Sequence, residues 1–252
     1  EIFISDSGNH VVRKVTSDGI ISTLAGTGVA GFSGDGGFAT SAQLDSPAGL
    51  AINSECSVYI ADSGNRRVRR VAPDGRISTF AGNGEENCPD NEESAYDSWF
   101  GDGGPAVDAV IKRPVDVAVE NDGAVLIADS ENMTVRRVGN DGIISKAYGE
   151  YYYFVSTEPH PDNAYGKKAF LMAAAASIGD MLSIAVQPGE SGFIVNDGCY
   201  VRRIEADGTI KVVAGGFSWD AAADGTRAYA APILGVPGLC IDGNGTIYLA
   251  EM

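Results

Sequence analysis

One pattern, read at Ser57–Gly82 as SVYIADSGNRRVRRVAPDGRISTFAG, recurs along the chain and limits its fold more than any other feature. Ser57–Asp62 is a short run of β-branched and aromatic residues, and Ser63-Gly64-Asn65 supplies turn chemistry that tolerates left-handed backbone. Val68–Ala72 returns as a second strand, Asp74-Gly75 is a two-residue hairpin signal, and Arg76–Ala81 runs as a third strand to Gly82. Upstream, Pro47–Asn53 (PAGLAIN) reads as a strand joined to the next by a turn at Ser54–Glu55. Four antiparallel strands therefore make one unit.

Related copies begin at Glu1 (EIFISDSGNHVVRKVTSDGIISTLAG), Ala124 (AVLIADSENMTVRRVGNDGIISKAYG), Gly192 (GFIVNDGCYVRRIEADGTIKVVAGG) and Thr246 (TIYLAEM). Asp6, Asp62 and Asp129 mark comparable points, 56 and then 67 residues apart, with the excess in one loop. That period with four strands per repeat predicts an all-β chain, a β-propeller of four-stranded antiparallel blades. Gly-rich turns and the absence of long 3.6-period segments exclude helical solenoids.

Ala61-Asp62-Ser63-Gly64-Asn65, followed by Val68-Arg69-Arg70-Val71 and preceded by Pro47-Ala48-Gly49-Leu50-Ala51, resembles the NHL-repeat propellers over nearly the whole chain. The linker at Ala25–Gly49 is similar to those of bacterial NHL repeats and of the NHL domain of teneurins. Such repeats identify a fold better than a function.

With strands lettered a to d from the axis outward, the repeats tally as three complete blades and two partial ones. The first lacks strand a, and the last offers only strands a and b. The pieces fall at about 1–26, 47–82, 114–149, 182–215 and 237–252, with long loop insertions at 83–113 and 150–181. Since both terminal pieces contain strand b, they do not complement each other. The chain is expected to be part of a larger propeller, or to have its blades completed by a neighbouring chain, because unpaired edges invite aggregation. Glu1 stands directly in strand sequence rather than in a leader, which implies a removed leader or a fragment.

The d-to-a linkers and b-to-c turns should share one face. Two linkers repeat GDGG, at Gly34–Gly37 and Gly101–Gly104, each before a helix-like run, Ala39–Leu44 and Ala106–Ile111. The third linker carries Tyr151, Tyr152, Tyr153 and Phe154, then His160 and an Ala-rich segment, Lys167–Ser177. The four aromatic residues are either an interaction patch or the anchor of their own loop.

A hydrophobic fraction of 44% over 252 residues suffices for one globular domain, and no stretch reaches the length of an apolar membrane span. The formal charge of −16 opposes nucleic acid and anionic membranes, so the RNA binding of some NHL proteins is disfavoured. Cys56, Cys88, Cys199 and Cys240 contain no CxxC spacing. Cys240 occupies an innermost-strand position and reads as a buried thiol, while Cys88 and Cys199 are disulfide candidates on one face.

Gly26-Thr27-Gly28-Val29-Ala30-Gly31 matches GxGxxG in letters only, since it follows an outer strand and opens no βαβ helix. Asp35 and Asp102 are weak calcium candidates; capping or turn formation at the following short helices accounts for them better. No other cofactor is expected. Asp6 with Arg13, Asp62 with Arg69 and Asp129 with Arg136 read as structural pairs, because a repeated pair maintains every hairpin whereas a catalytic residue is needed once. Only two histidines occur, His10 and His160, and no catalytic or metal motif includes them. The sequons at Asn132 and Asn244 fall in turns expected to be exposed, so glycans are candidates there.

The reading that follows is a non-enzymatic extracellular or cell-surface scaffold, presenting loops on one propeller face to other protein chains, copies of itself included. The alternative is a metal-dependent propeller hydrolase or lyase with part of its site outside this segment. A bacterial sensor or envelope propeller without glycans is a third.

Overall fold

The computed structural model describes residues 1–86, 101–149, 182–197, 200–215, 227–228, 231, 233 and 238–250. They form five antiparallel sheets, each a meander in sequence order. The first has three strands, β1 (Ile2–Asp6), β2 (Val11–Val15) and β3 (Ile21–Ala25). The second has four: β4 (Pro47–Ile52), β5 (Val58–Asp62), β6 (Arg67–Val71) and β7 (Ile77–Ala81). The third has β8 (Pro114–Val119), β9 (Val125–Asp129), β10 (Thr134–Val138) and β11 (Ile144–Gly149). The fourth has β12 (Leu182–Ala185), β13 (Phe193–Asp197), β14 (Tyr200–Ile204) and β15 (Ile210–Gly215). The last pairs β16 (Gly238–Ile241) with β17 (Ile247–Ala250). This is the β-propeller architecture that the repeats predict.

Strand alternation explains how the blades stack. In β6, Val68 points into the core shared with the third sheet, beside Ala81, Ile111 and Ile127. Val71, three residues on, points the opposite way into the core shared with the first sheet, beside Val12, Leu44 and Ile77. Its counterparts repeat the rule, with Val135 and Ile204 in the third-to-fourth core and Val201 in the next. The second, third and fourth blades thus bury both faces, and the stability of each depends on both neighbours.

Every c-to-d pairing carries one irregularity at the same place, between Val12 and Arg13, Val68 and Arg69, Val135 and Arg136, and Val201 and Arg202. One extra outer-strand residue, Leu24, Phe80, Ala147 or Val213, is accommodated there. A repeated β-bulge increases local twist and re-aims the following side chains.

The linkers also cover the outer edges. Gly36 donates its N–H to Ile77 O, Ile77 donates back to Gly37 O, and Ala39 donates to Gly75 O, at 2.8–3.0 Å. Gly103, Gly104 and Ala106 repeat this against Ile144 and Gly142 of the third blade. Segments with the GDGG motif therefore pair alongside strand d and blunt an otherwise open edge. Gly34 has φ +91°, and a Cβ there would lie 2.6 Å from Ala42 Cβ, so glycine is required twice over.

Three local expectations are corrected. Ser63-Gly64-Asn65 is a 3-10 turn, and the left-handed residue follows it: Arg66 at φ 55°, matched by His10 and Met133 at 54°. The helix-like runs shrink to Ala39–Ser41 and Ala106–Asp108, because Ala42 and Ala109 turn extended to carry the chain toward buried Leu44 and Ile111. Cys240 is exposed, since the two-stranded last sheet has no described blade beyond it to cover that face.

Candidate interaction face

In the second and third blades, the end that carries the b-to-c turn is built jointly with the incoming linker. Asp62 closes β5, and its Oδ1 accepts the Asp45 N–H at 2.7 Å, while Gly64 donates its N–H to Asp45 O at 2.9 Å. A Cβ on Gly64 would meet the Asp45 carboxylate at 2.4 Å, so the turn approaches the linker as only glycine allows. In the third blade Asp129 accepts N–H groups of Lys112 and Arg113 at 3.1 and 2.9 Å, and Ser130 donates to Arg113 O. The strand-end aspartates thus fix linker to turn, and successive blades are tied as Ser63 Oγ donates to Pro114 O at 2.5 Å.

Around them lie two buried ionic nodes. Arg69, fully buried, donates from Nη2 to Asp35 Oδ1 at 2.6 Å and from Nη1 to buried Asp62 at 3.3 Å. Asp35 also accepts the Thr79 hydroxyl at 2.7 Å and its N–H at 3.1 Å, bridging strands c and d. Arg136, equally buried, donates from Nε and Nη2 to Asp102 at 2.9 and 2.6 Å. Arg13 is half exposed in the first blade, 3.7 Å from Asp6 and bonded to Thr23 at 2.6 Å. The GDGG aspartates therefore cap no helix: the short turns have no side-chain cap, and each carboxylate clamps its linker to the strand-c arginine. The signal was the co-occurrence of GDGG with a following VRR, but the two are 34 residues apart.

Burial pushes the Asp62 carboxyl up from its ordinary range, against the pull of Asn65, the Asp45 N–H and Arg69. Asp129 is raised by burial in the same way, opposed by Arg113, Asn132 and Arg136. For Asp35 partial burial works upward too, but Thr79 and Arg69 together outweigh it and the carboxyl lies low.

On the surface of this face, Val29 and Phe32 are exposed. Arg67 stacks on the Phe32 ring at 3.8 Å and Arg69 lies at 4.8 Å, so the ring is held by two cations rather than left loose. Met133, at the left-handed turn position of the third blade, is also exposed. His10 belongs to this architecture, accepting the Ser46 N–H at Nδ1 (3.1 Å). The Gly26–Gly31 run is a turn sequence, with positive φ at Gly26, Gly28 and Gly31.

The two sequons part company. Asn244 and Thr246 are exposed. Asn132 is only 5% exposed, donating to Asp129 at 2.6 Å, and Thr134 is buried in β10. The expected exposure of Asn132 is therefore wrong: the residue that looked like an acceptor satisfies a buried carboxylate. Tyr151, Tyr152, Tyr153, Phe154, His160, Cys88 and Cys199 lie outside the described residues. Among the described residues Cys56 and Cys240 are free thiols, and no group of three or more His, Cys, Asp or Glu side chains gathers in metal-binding geometry. No described helix is long and apolar enough to cross a membrane.

Sequence reasoning missed Asp116 on innermost strand β8. It stands where the preceding repeat has Gly49, and a Cβ on Gly49 would lie 2.2 Å from its Oδ1. Asp116 accepts the Ser183 hydroxyl and the Ile184 N–H, both at 2.9 Å, and burial raises its carboxyl. The pair PAGLA and PVDVA held the signal, but only the fold brings Gly49, Asp116 and Ser183 side by side.

The Teneurin NHL domain description matches residues 1–72 and 71–216. Mouse Teneurin-1 is 28% identical over 169 residues, which is 61% of this chain and 6% of that protein. Human Teneurin-4 is 34% identical over 98 residues, 38% of this chain and 4% of the relative. The chain thus spans only about 6% of the length of the teneurin-1 relatives it matches. Among solved structures, a Bacteroides thetaiotaomicron protein of unknown function superposes with a TM-score of 0.59 at 15% identity, covering 97% of this chain and 52% of its own. A Xanthomonas campestris gluconolactonase gives 0.54 at 16%, covering 99% and 65%, and Staphylococcus aureus virginiamycin B lyase gives 0.51 at 13%, covering 99% and 58%. At these identities the likeness is one of fold.

Proposed function

As the chain belongs to the Teneurin NHL domain family, we propose that it is a non-enzymatic interaction and adhesion module that works outside the cell. The carrying observation is how the linker-and-turn face is held. Exposed Val29 and Phe32 sit on the first linker, which buried Arg69 locks through Asp35, so these contact groups are presented in fixed positions with little ordering cost at binding. The acidic surface and the exposed Asn244 sequon suit secretion. Partners are other protein chains, copies of this one included, and Tyr151–Phe154 extends the proposed contact set. Asp35 and Asp102 have a structural task in binding Arg69 and Arg136, which favours clamping over calcium binding for this pair.

Display on a non-adherent cell tests the proposal. Cells carrying the protein should aggregate with one another or attach to bare cell layers, and Val29→Asp should reduce the effect at least several-fold while leaving the melting temperature unchanged. Absence of any added adhesion, or full adhesion by the variant, would sink it.

A further inference from the structure

The opposite end of the blades carries the a-to-b and c-to-d turns. There, between the second and third sheets, lies an open cleft of about 620 Å³. That is the size range of small-molecule sites. Its aromatic lining is Phe80, packed edge-on against Tyr59 with ring centres 4.8 Å apart at 74°.

The cleft contains an arginine that differs from its counterparts in the other blades. Strand c of every blade carries a second basic residue: Lys14, Arg70, Arg137 and Arg203. Three of them meet carboxylates. Lys14 pairs with Glu1 at 2.7 Å, Arg137 with Glu120 and Asp122 at 2.5 Å each, and Arg203 with Glu190 and with Glu205 at 3.3 Å. Arg70 pairs with no carboxylate among the described residues. Its Nη2 donates to Ser57 Oγ at 2.9 Å, and its Nε is buried with no acceptor. Where the third repeat has Glu120 the second has Asn53, and Glu55, at the position of Asp122, makes no ion pair with Arg70. A guanidinium partly withdrawn from water without an acid loses hydration that nothing in the blade returns, whereas a carboxylate could take its planar fork bidentately.

Two further groups in the cleft are uncommitted. Asn53 uses its Oδ1 to accept the Glu55 and Ser57 N–H groups at 3.2 and 2.9 Å, and its amide N–H groups have no described acceptor. The Glu55 carboxylate has no described partner and lines the same cleft. We propose that this cleft is a binding site for a small polyhydroxylated monocarboxylate, an acidic monosaccharide in chemical class. Its carboxylate lies on Arg70, its hydroxyls on Asn53 and Glu55, and its ring face on Phe80. Glu55, Glu120 and Asp122 line the same cleft and oppose ligands of higher negative charge.

Titration of the whole chain with D-glucuronate, followed by saturation-transfer or protein-shift NMR, tests this beside D-glucose and acetate. Glucuronate should bind saturably, with glucose and acetate at least tenfold weaker. Arg70→Gln should weaken glucuronate at least tenfold. Asn53→Glu should do the same with an unchanged or raised melting temperature, because it supplies the carboxylate that the third blade already has while leaving Arg70 in place. No saturable binding, equal binding of glucose or acetate, or unaltered affinity in a folded Asn53→Glu protein would each overturn the assignment.

Discussion

Arg69→Met removes the cation of the second-blade node while roughly keeping side-chain volume. Asp62, with no exposed surface, is then left facing the Asn65 amide and the Asp45 N–H alone, and Asp35 keeps only Thr79. Breaking a buried pair from one side costs about 3–5 kcal/mol, because the stranded charge stays desolvated. Against a total stability of about 5–15 kcal/mol that is a large fraction, and for a chain of this size it corresponds to a fall of roughly 6–20 °C in melting temperature. The pH dependence has a definite sign. A carboxyl raised by burial binds its proton more readily folded than unfolded, so its penalty is absent below the ordinary carboxylate value and complete above the raised one. Loss of Arg69 widens that window upward. The deficit of Arg69→Met, measured by urea denaturation followed by circular dichroism, should be greatest at pH 7 and shrink toward pH 4. Adding Asp62→Asn should recover part of it at pH 7. A deficit below about 1 kcal/mol, or one that does not change with pH, would refute the burial argument.

Other perturbations read other links. Asn132→Ala leaves a buried Asp129 oxygen without its 2.6 Å donor and should cost about 1–3 kcal/mol by the same denaturation assay. Glycopeptide mapping of the protein from a secretory host should find any glycan at Asn244 and none at Asn132; occupancy of Asn132 would contradict its burial. Gly49→Ala places a methyl 2.2 Å from Asp116 Oδ1 and 2.5 Å from its Cα and should destabilise by about 1–3 kcal/mol in the same denaturation assay; an unchanged stability would contradict the close approach. Brief thiol labelling of the native protein, mapped by mass spectrometry, should modify Cys56 and Cys240; protection of Cys240 would restore the buried-strand expectation.

The blades were legible because alternation and turn chemistry are local signals. The Asp74-Gly75 hairpin and the short β-branched and aromatic run of Val58–Asp62 specify strands without knowledge of anything distant. The site was less legible because its contacts join separate repeats. That Asp35 meets Arg69 and Thr79 depends on the linker lying against strand d, a pairing of glycine backbone that no side-chain pattern announces. Alternation shows which sheet face Cys240 occupies, but not what covers that face, so the thiol was misjudged. Asn132 was misread for a related reason. Its sequon is a three-residue match, whereas its side chain is turned inward onto the buried carboxylate of Asp129.

The central claim is that the linker-and-turn face makes the contacts. Hydroxyl-radical footprinting of the displayed protein, with cells clustered and then dispersed, measures this directly through Val29, Phe32 and Met133. The account predicts protection of these residues on clustering, with Tyr59 and Phe80 at the opposite end unchanged. Equal labelling of all five in both states, or protection confined to the opposite end, would contradict it.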